Sequence, residues 1–282
     1  MKLQPGSSDS PSTRRVLQVL EAVRRHPGAR QSQLADSTGI ARPTMHRILS
    51  VLETEGYVVR IPESGGYRLG LSVIQLAEGV LRGDFVLESV ISAADEIARE
   101  SEETVHVATF RDGECRYVHK RESSQSLRVS MSSALGSVVP LHCTALGKSI
   151  LSTIERDDRH RLISELPLPR RTDHTITDAD TLLHECEYIA QRGYAVDDEE
   201  NEQGIRCIAV AVRNHLQEPI AAISISVPTV RCPPEAVVKW GSRLVEQVRH
   251  LEGLLRLSSS QKFDVGESNG IDIKEQSLYN DS

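Results

Sequence analysis

A helical reading of residues 42–52 sorts their side chains by chemistry. Met45, Ile48, Leu49 and Leu52 recur at i, i+3, i+4 and i+7 and make one apolar stripe. Arg42, Thr44, His46, Arg47 and Ser50 are left on the opposite face, with Pro43 beside them at the start of the helix. Guanidinium, imidazole and hydroxyl groups on one rigid face have the reach to meet base edges and phosphates. An ordinary helical hairpin with a solvated polar face would show the same pattern, so the flanking elements decide.

Those elements are legible on both sides. Residues 31–56, QSQLADSTGIARPTMHRILSVLETEG, read as a helix, a tight turn at Gly39 and a second helix, with Ser32 as N-cap and Ile40 plugging the angle. A preceding helix from about Thr13 to Arg25 offers Val16, Leu17, Leu20 and Val23 as its inner stripe. After Gly56 the pattern changes to two short strands, 57–60 and 67–69, around PESGG. A hairpin placed there is a wing, and Arg60 and Arg68 would lie near the sugar-phosphate backbone. The expectation for residues 12–70 is a winged helix-turn-helix domain, behind a loose polar tail at 1–11. Residues 71–83 form a linker helix with Leu71, Ile74, Ala77 and Leu81 on one side. That side needs a partner, and the same helix of a second subunit would supply it.

Residues 84–257 read as α+β. A helix at about 85–101 precedes the strands TVHVATF and CRYVHKRE, and LRVSM is a further strand. A helix follows from about His142, then helices at 155–165 and 178–193, with Gly193 as C-cap. The strands IRCIAVAVRN and PIAAISISV are joined by HLQE. A long helix from Pro233 turns Val237, Val238, Leu244, Val245, Val248 and Leu251 inward, and residues 258–282 are expected to be a disordered tail. Strands in the middle and helices at both ends suggest one sheet with helices against it.

Composition supports the division. The chain has 282 residues, 39% hydrophobic and only 4% aromatic, so aliphatic residues must do most of the packing. Its formal charge of -7 looks wrong for a nucleic-acid binder. Residues 1–82 nevertheless hold 11 Lys and Arg against 7 Asp and Glu, and the remainder 22 against 33. A basic head on an acidic body fits a DNA-binding unit attached to a domain with another task. Cys115, Cys143, Cys186, Cys207 and Cys232 are scattered, odd in number and without a CxxC, which argues against a disulfide framework or a zinc site. The start lacks an apolar leader and no run of about 18 apolar residues occurs, so a cytoplasmic protein without a membrane span is expected.

The order of winged helix, linker helix, GSVVPLHCTALGKSIL, RGYAVDDEENEQGIRCIA and AAISISVP resembles the IclR family of bacterial transcriptional regulators. The resemblance runs from about Val16 to Leu257. EQGIRCIA, with Glu202, Gly204, Cys207 and Ala209, is similar to the family's most diagnostic motif, and LHCTALGKS to its second. Val210 and Ala211 depart from it, standing where the family usually has an Ala-Pro pair. The resemblance implies a GAF/PAS-like C-terminal domain that binds a small metabolite. It also implies homodimers or dimers of dimers on pseudo-palindromic double-stranded operators. A repressor without cofactor or catalysis is expected, although no residue pattern separates repression from activation. Carried over by position, the effector pocket would draw on Ala145 and Leu146, Asp197, Cys207, Ser224 and Ser226, with apolar contact from Met131 and Leu141. Ser224 and Ser226 lie two apart on a strand and so face the same way. A helix start near Thr144 to Gly147 would offer N–H groups to a carboxylate, which suits an organic acid.

Each residue also has a plainer reading. Ser224 and Ser226 could bond to neighbouring strands, Cys207 could be a core cysteine, and Asp197 could belong to a solvated acidic turn. His142, Cys143 and Cys207 could be argued as metal ligands, but no two share zinc-site spacing. An enzyme or thiol switch built on Cys207 is a second class of function. It lacks a base motif beside the thiol, a nucleophile elbow, a phosphate loop and paired catalytic carboxylates. A DNA-binding structural protein without a ligand leaves the long acidic body without a purpose.

Overall fold

The computed structural model describes residues 11–82, 85–125 and 133–264. The chain divides into two compact units, Met1–Phe85 and Val86–Ser282. In the first, α1 (Pro11–Arg25), α2 (Gln31–Thr38) and α3 (Arg42–Thr54) precede the hairpin of β1 (Val58–Arg60) and β2 (Tyr67–Leu69) and then α4 (Ser72–Arg82). Val19, Val23, Leu34, Met45, Leu49 and Val58 are fully buried between the helices and the hairpin. In α1 the inward stripe runs Val16, Val19, Leu20 and Val23, while Leu17 sits on its flank and is 63% exposed, contrary to expectation. Arg30, rather than Ser32, caps α2. The side chain of Gln33 accepts the Arg30 N–H at 2.8 Å, which fixes the helix start ahead of Ser32. Gly39 ends α2 in the left-handed conformation, its N–H returning to the Ala35 carbonyl.

The hairpin is fastened to the α1–α2 connection. Gly28 N–H donates to Tyr67 O at 2.8 Å and Tyr67 N–H to Ala29 O at 2.9 Å. A Cβ on Gly66 would stand 1.9 Å from the Gly28 carbonyl oxygen, so only glycine permits this approach.

The second unit comprises α5 (Phe85–Ser101), β3 (Thr104–Arg111), β4 (Glu114–Arg121), α6 (Ala145–Thr153), α7 (Arg156–Glu165), α8 (Ala179–Arg192), β5 (Ala195–Asp198), β6 (Ile205–Arg213), β7 (Pro219–Pro228) and α9 (Pro234–Asp264). The strands form one antiparallel sheet in the order β4-β3-β7-β6-β5. Alternation along each strand gives the sheet two unlike faces. Ile208, Val210 and Val212 of β6 and Ile223, Ile225 and Val227 of β7 pack with α5 and α9. Cys207, Ala209, Ala211 and Ala222 turn to the other face, toward α6, α7 and α8.

Two details of α9 differ from the sequence reading. Val238 is 57% exposed, whereas Leu244, Val248 and Leu251 of α9 are buried. The helix continues to Asp264, past Ser258, where side-chain periodicity had ended. β6 passes through Val210 and Ala211 without a break, each paired to β7. The expected strand at 127–131, Met131 included, lies outside the described residues.

Candidate functional site

On α3, Arg42, Pro43, His46, Arg47 and Ser50 are exposed and Thr44 is half-buried, opposite the buried Met45, Leu49 and Leu52. Pro43 falls within the first two helical positions, where a missing N–H costs nothing. The wing does not bring its two arginines together. Val59 pairs with Arg68 and Arg60 with Tyr67, so Arg60 and Arg68 leave the hairpin from opposite faces. Arg60 instead lines a recess of about 450 Å³ with Arg42 and with Arg30, which the sequence reading missed. The Arg30 Nε donates to the Ser64 carbonyl in the wing turn at 3.0 Å. Its only sequence signal was a basic residue just ahead of a helix, too common a pattern to stand out.

In the second unit, strand register assembles the other site. Asp197, Cys207, Ser226 and Thr104 lie opposite one another across β5, β6, β7 and β3. Ala195, Ala209, Ser224 and His106 form the adjacent row, two residues along and therefore on the same face. A third row, Ala211, Ala222 and Ala108, is all alanine. The floor thus runs from polar to apolar, and α6 packs directly on its small side chains.

Above that floor, Thr144 caps α6 by accepting the Gly147 N–H at 3.0 Å. The N–H groups of Ala145 and Leu146 begin the helix and have no helical acceptor. The Thr144 hydroxyl donates to the Pro140 carbonyl at 2.7 Å, folding the Pro140–Leu141 turn back on the helix. A Cβ on Gly147 would lie 2.4 Å from Leu141 Cα and 2.5 Å from the Pro140 oxygen, which explains the glycine. Ala145, Leu146 and Leu141 are all buried there.

Polar groups on the floor form a chain. Cys207 Sγ donates to Ser226 Oγ at 3.2 Å, Ser226 Oγ lies 3.4 Å from His106 Nδ1, and His106 Nε2 lies 2.8 Å from Ser133 Oγ. Burial, helped by the charges of Lys120 and His119, pushes the His106 pKa down to about 3. The ring is therefore neutral, and protonation at Nε2 satisfies every member of the chain. Burial raises the Cys207 thiol well above its ordinary value, which opposes a reactive thiolate. Ser226 thus has protein partners, as its plainer reading anticipated. Ser224 is buried on the same face, one row along from Ser226.

Asp197 is only 3% exposed, so it does not belong to a solvated turn. Its Oδ1 accepts the N–H groups of Glu200 at 2.8 Å and Asn201 at 3.3 Å. Burial, with the Glu200 charge adding, raises its pKa to about 7 against the pull of those two bonds. Glu200 in turn pairs with the buried Lys148 of α6. The His142 ring meets the Pro169 carbonyl at 3.1 Å and Cys143 Sγ lies 3.7 Å from Asn201 Oδ1. Among the described residues no group of three His, Cys, Asp or Glu is placed to hold a metal, and no helix is long and apolar enough to cross a membrane. His106, Thr104, Lys148 and Glu200 were not foreseen. Only the alternation of TVHVATF could have marked the first two.

Comparison with known proteins finds relatives for both units. Residues 12–62 match the family model of the IclR helix-turn-helix domain, and residues 80–251 that of the bacterial transcriptional regulator IclR C-terminal domain. The HTH-type transcriptional regulator KdgR of Escherichia coli K12 is 32% identical over 258 residues, covering 92% of this chain and 94% of that protein. The transcriptional repressor IclR of the same organism is 27% identical over 250 residues, 88% and 90% of the two chains. Among solved structures, the Thermotoga maritima IclR superposes with a TM-score of 0.76 at 30% identity, covering 87% of this chain and 98% of that one. An IclR homolog from Microbacterium hydrocarbonoxydans, complexed with 4-hydroxybenzoate, shares the fold with a TM-score of 0.74 at 23% identity, covering 87% and 99%.

Proposed function

The chain belongs to the IclR family of bacterial transcriptional regulators, DNA-binding proteins with a ligand-binding C-terminal domain rather than enzymes, and on that premise we propose a repressor released from its operator by a small organic acid. The observation that carries the ligand class is the neighbouring pair of register rows beneath α6 that hold Ser224 and the alanines Ala211, Ala222 and Ala108. One end offers Ser224 and the N–H groups of Ala145 and Leu146 to a carboxylate. The other end is alanine, which suits a short aliphatic or aromatic body. The 4-hydroxybenzoate held by the homolog above is a ligand of that class. Repression is the activity named for the IclR relative. On the DNA side, α3 enters the major groove and Arg47 and His46 face the bases, while Arg60 and Arg68 meet phosphates on different sides of the wing. Two copies joined through α4 present two heads to a pseudo-palindromic operator.

The test begins with a thermal-shift screen of organic acids, since a ligand of the native state raises its melting temperature. The best acid is then titrated into operator complexes of the wild type and of Ser224→Ala. Loss of a hydrogen bond to a charged ligand group should weaken effector binding by roughly 1.5–3 kcal/mol. Operator affinity without effector should stay the same, and release should need more acid. Equal release curves for the two proteins would remove Ser224 from the pocket.

A further inference from the structure

We propose that the recess between α2, α3 and the wing is a clamp for one backbone phosphate of duplex DNA, with Arg30 as its third cation. This deepens the DNA reading given above and rests on it. Arg30, Arg42 and Arg60 come from three separate segments yet line one cavity of about 450 Å³, together with Gln31, Ser64 and Tyr67. No carboxylate lines it, and the exposed Glu63 of the wing stands outside its wall. None of the three arginines forms an ion pair among the described residues. Like charges gathered in one concavity repel one another, and an anion offsets that cost. Planar guanidinium forks match phosphate oxygens in geometry as well as charge.

The walls are already in place. The Gly28–Tyr67 and Tyr67–Ala29 hydrogen bonds and the glycine contact at Gly66 hold the wing against the start of α2. Arg30 is aimed by its Nε bond to the Ser64 carbonyl, which leaves its terminal nitrogens for the anion. The Gln31 side chain donates to the Arg42 carbonyl at 3.1 Å and so ties the start of α3 to the same spot. A phosphate seated here carries no base information, but it sets how deep and in what register α3 meets the groove.

The test uses the full chain and a fluorescent duplex of random sequence. Affinity is measured against salt for the wild type, Arg30→Gln, Arg60→Gln, the double variant and Arg30→Lys. The slope of log affinity on log salt counts neutralised phosphates at about 0.9 each. A shared clamp predicts that both Gln variants weaken binding and that the double variant loses about 0.9 of slope in total. Arg30→Lys should keep most of the wild-type slope. Arg60 makes no side-chain hydrogen bond among the described residues, so Arg60→Gln reports charge alone even if Arg30→Gln loosens the wing. A double variant that loses about 1.8 would mean two separate phosphates and overturn the clamp. Unchanged slopes, or Arg30→Lys as damaging as Arg30→Gln, would overturn it too. In either of those cases preference for operator over random DNA would persist, so readout by α3 would stand.

Discussion

Asp197 is a buried carboxyl that holds a turn and that we propose also meets the ligand. Its Oδ1 holds the turn to Glu200 and Asn201, while burial raises its pKa to about 7. In the unfolded chain the group titrates near 3.8. Between those values the native state binds the extra proton, so its contribution to stability is whole below pH 4 and is lost as pH rises through about 7. Asp197→Asn keeps the turn acceptor and removes the titration. Relative to wild type, the variant should therefore gain stability steadily from pH 4 to 7, measured by urea denaturation across that range. The opposite slope contributed by His106, buried neutral, is common to both proteins and cancels. Ligand binding should follow the same group. A protonated Asp197 can donate to an organic acid, so wild-type affinity for the acid should fall as pH passes 7 and that of Asp197→Asn should not. Parallel pH profiles would place the carboxyl away from the ligand. The sequence reading saw an acidic turn here because four acidic residues in a row look solvated. Whether a turn folds inward depends on the strand pairing of Asp197 to Cys207, which no local pattern records.

At the scale of elements, α6 is positioned by one glycine. Gly147→Ala would drive a Cβ into the backbone of Pro140 and Leu141, which cannot swing aside as a side chain could. Overpacking of that kind costs about 1–3 kcal/mol. It should also move the Ala145 and Leu146 N–H groups and abolish the effector-induced thermal shift. Gly253 in α9 is the contrasting case, with nothing within 4 Å of an added Cβ. Gly253→Ala should raise stability by about 0.5–1 kcal/mol and leave effector binding alone. Urea melts of both variants decide the matter, and a destabilised Gly253→Ala would show that helix propensity does not govern that position. The helices and strands were largely legible, because periods of 3.6 and 2 are local signals. The misassigned residues were those where a local signal had two solutions. Ser32 is a good cap by type, but Gln33 reaching the Arg30 N–H starts the helix earlier. Leu17 is apolar, yet Val19 completes a better stripe with Val16, Leu20 and Val23. His106 was overlooked because its role depends on Ser226, which lies 120 residues away.

For the whole molecule, the exposed apolar residues of the first unit are the telling feature. Leu71 is 76% exposed, Ile74 63% and Leu76 60%, on and beside α4. A second copy would cover them and place two heads about 34 Å apart, or a multiple of that, on DNA. Leu71→Glu with Ile74→Glu should lower operator affinity and weaken self-association, while melting of the second unit is unchanged. Sedimentation showing unaltered assembly would put the contact elsewhere. The same molecule-wide view gives the two-faced sheet a historical meaning. The branched aliphatic residues that anchor the domain to α5 and α9 alternate, position by position, with the alanines, serines and cysteine beneath α6. A change at Ala209 or Ala222 alters the face beneath α6 and leaves the branched aliphatic face as it is. After gene duplication, a lineage on this plan can acquire a taste for a new metabolite while inheriting its architecture intact.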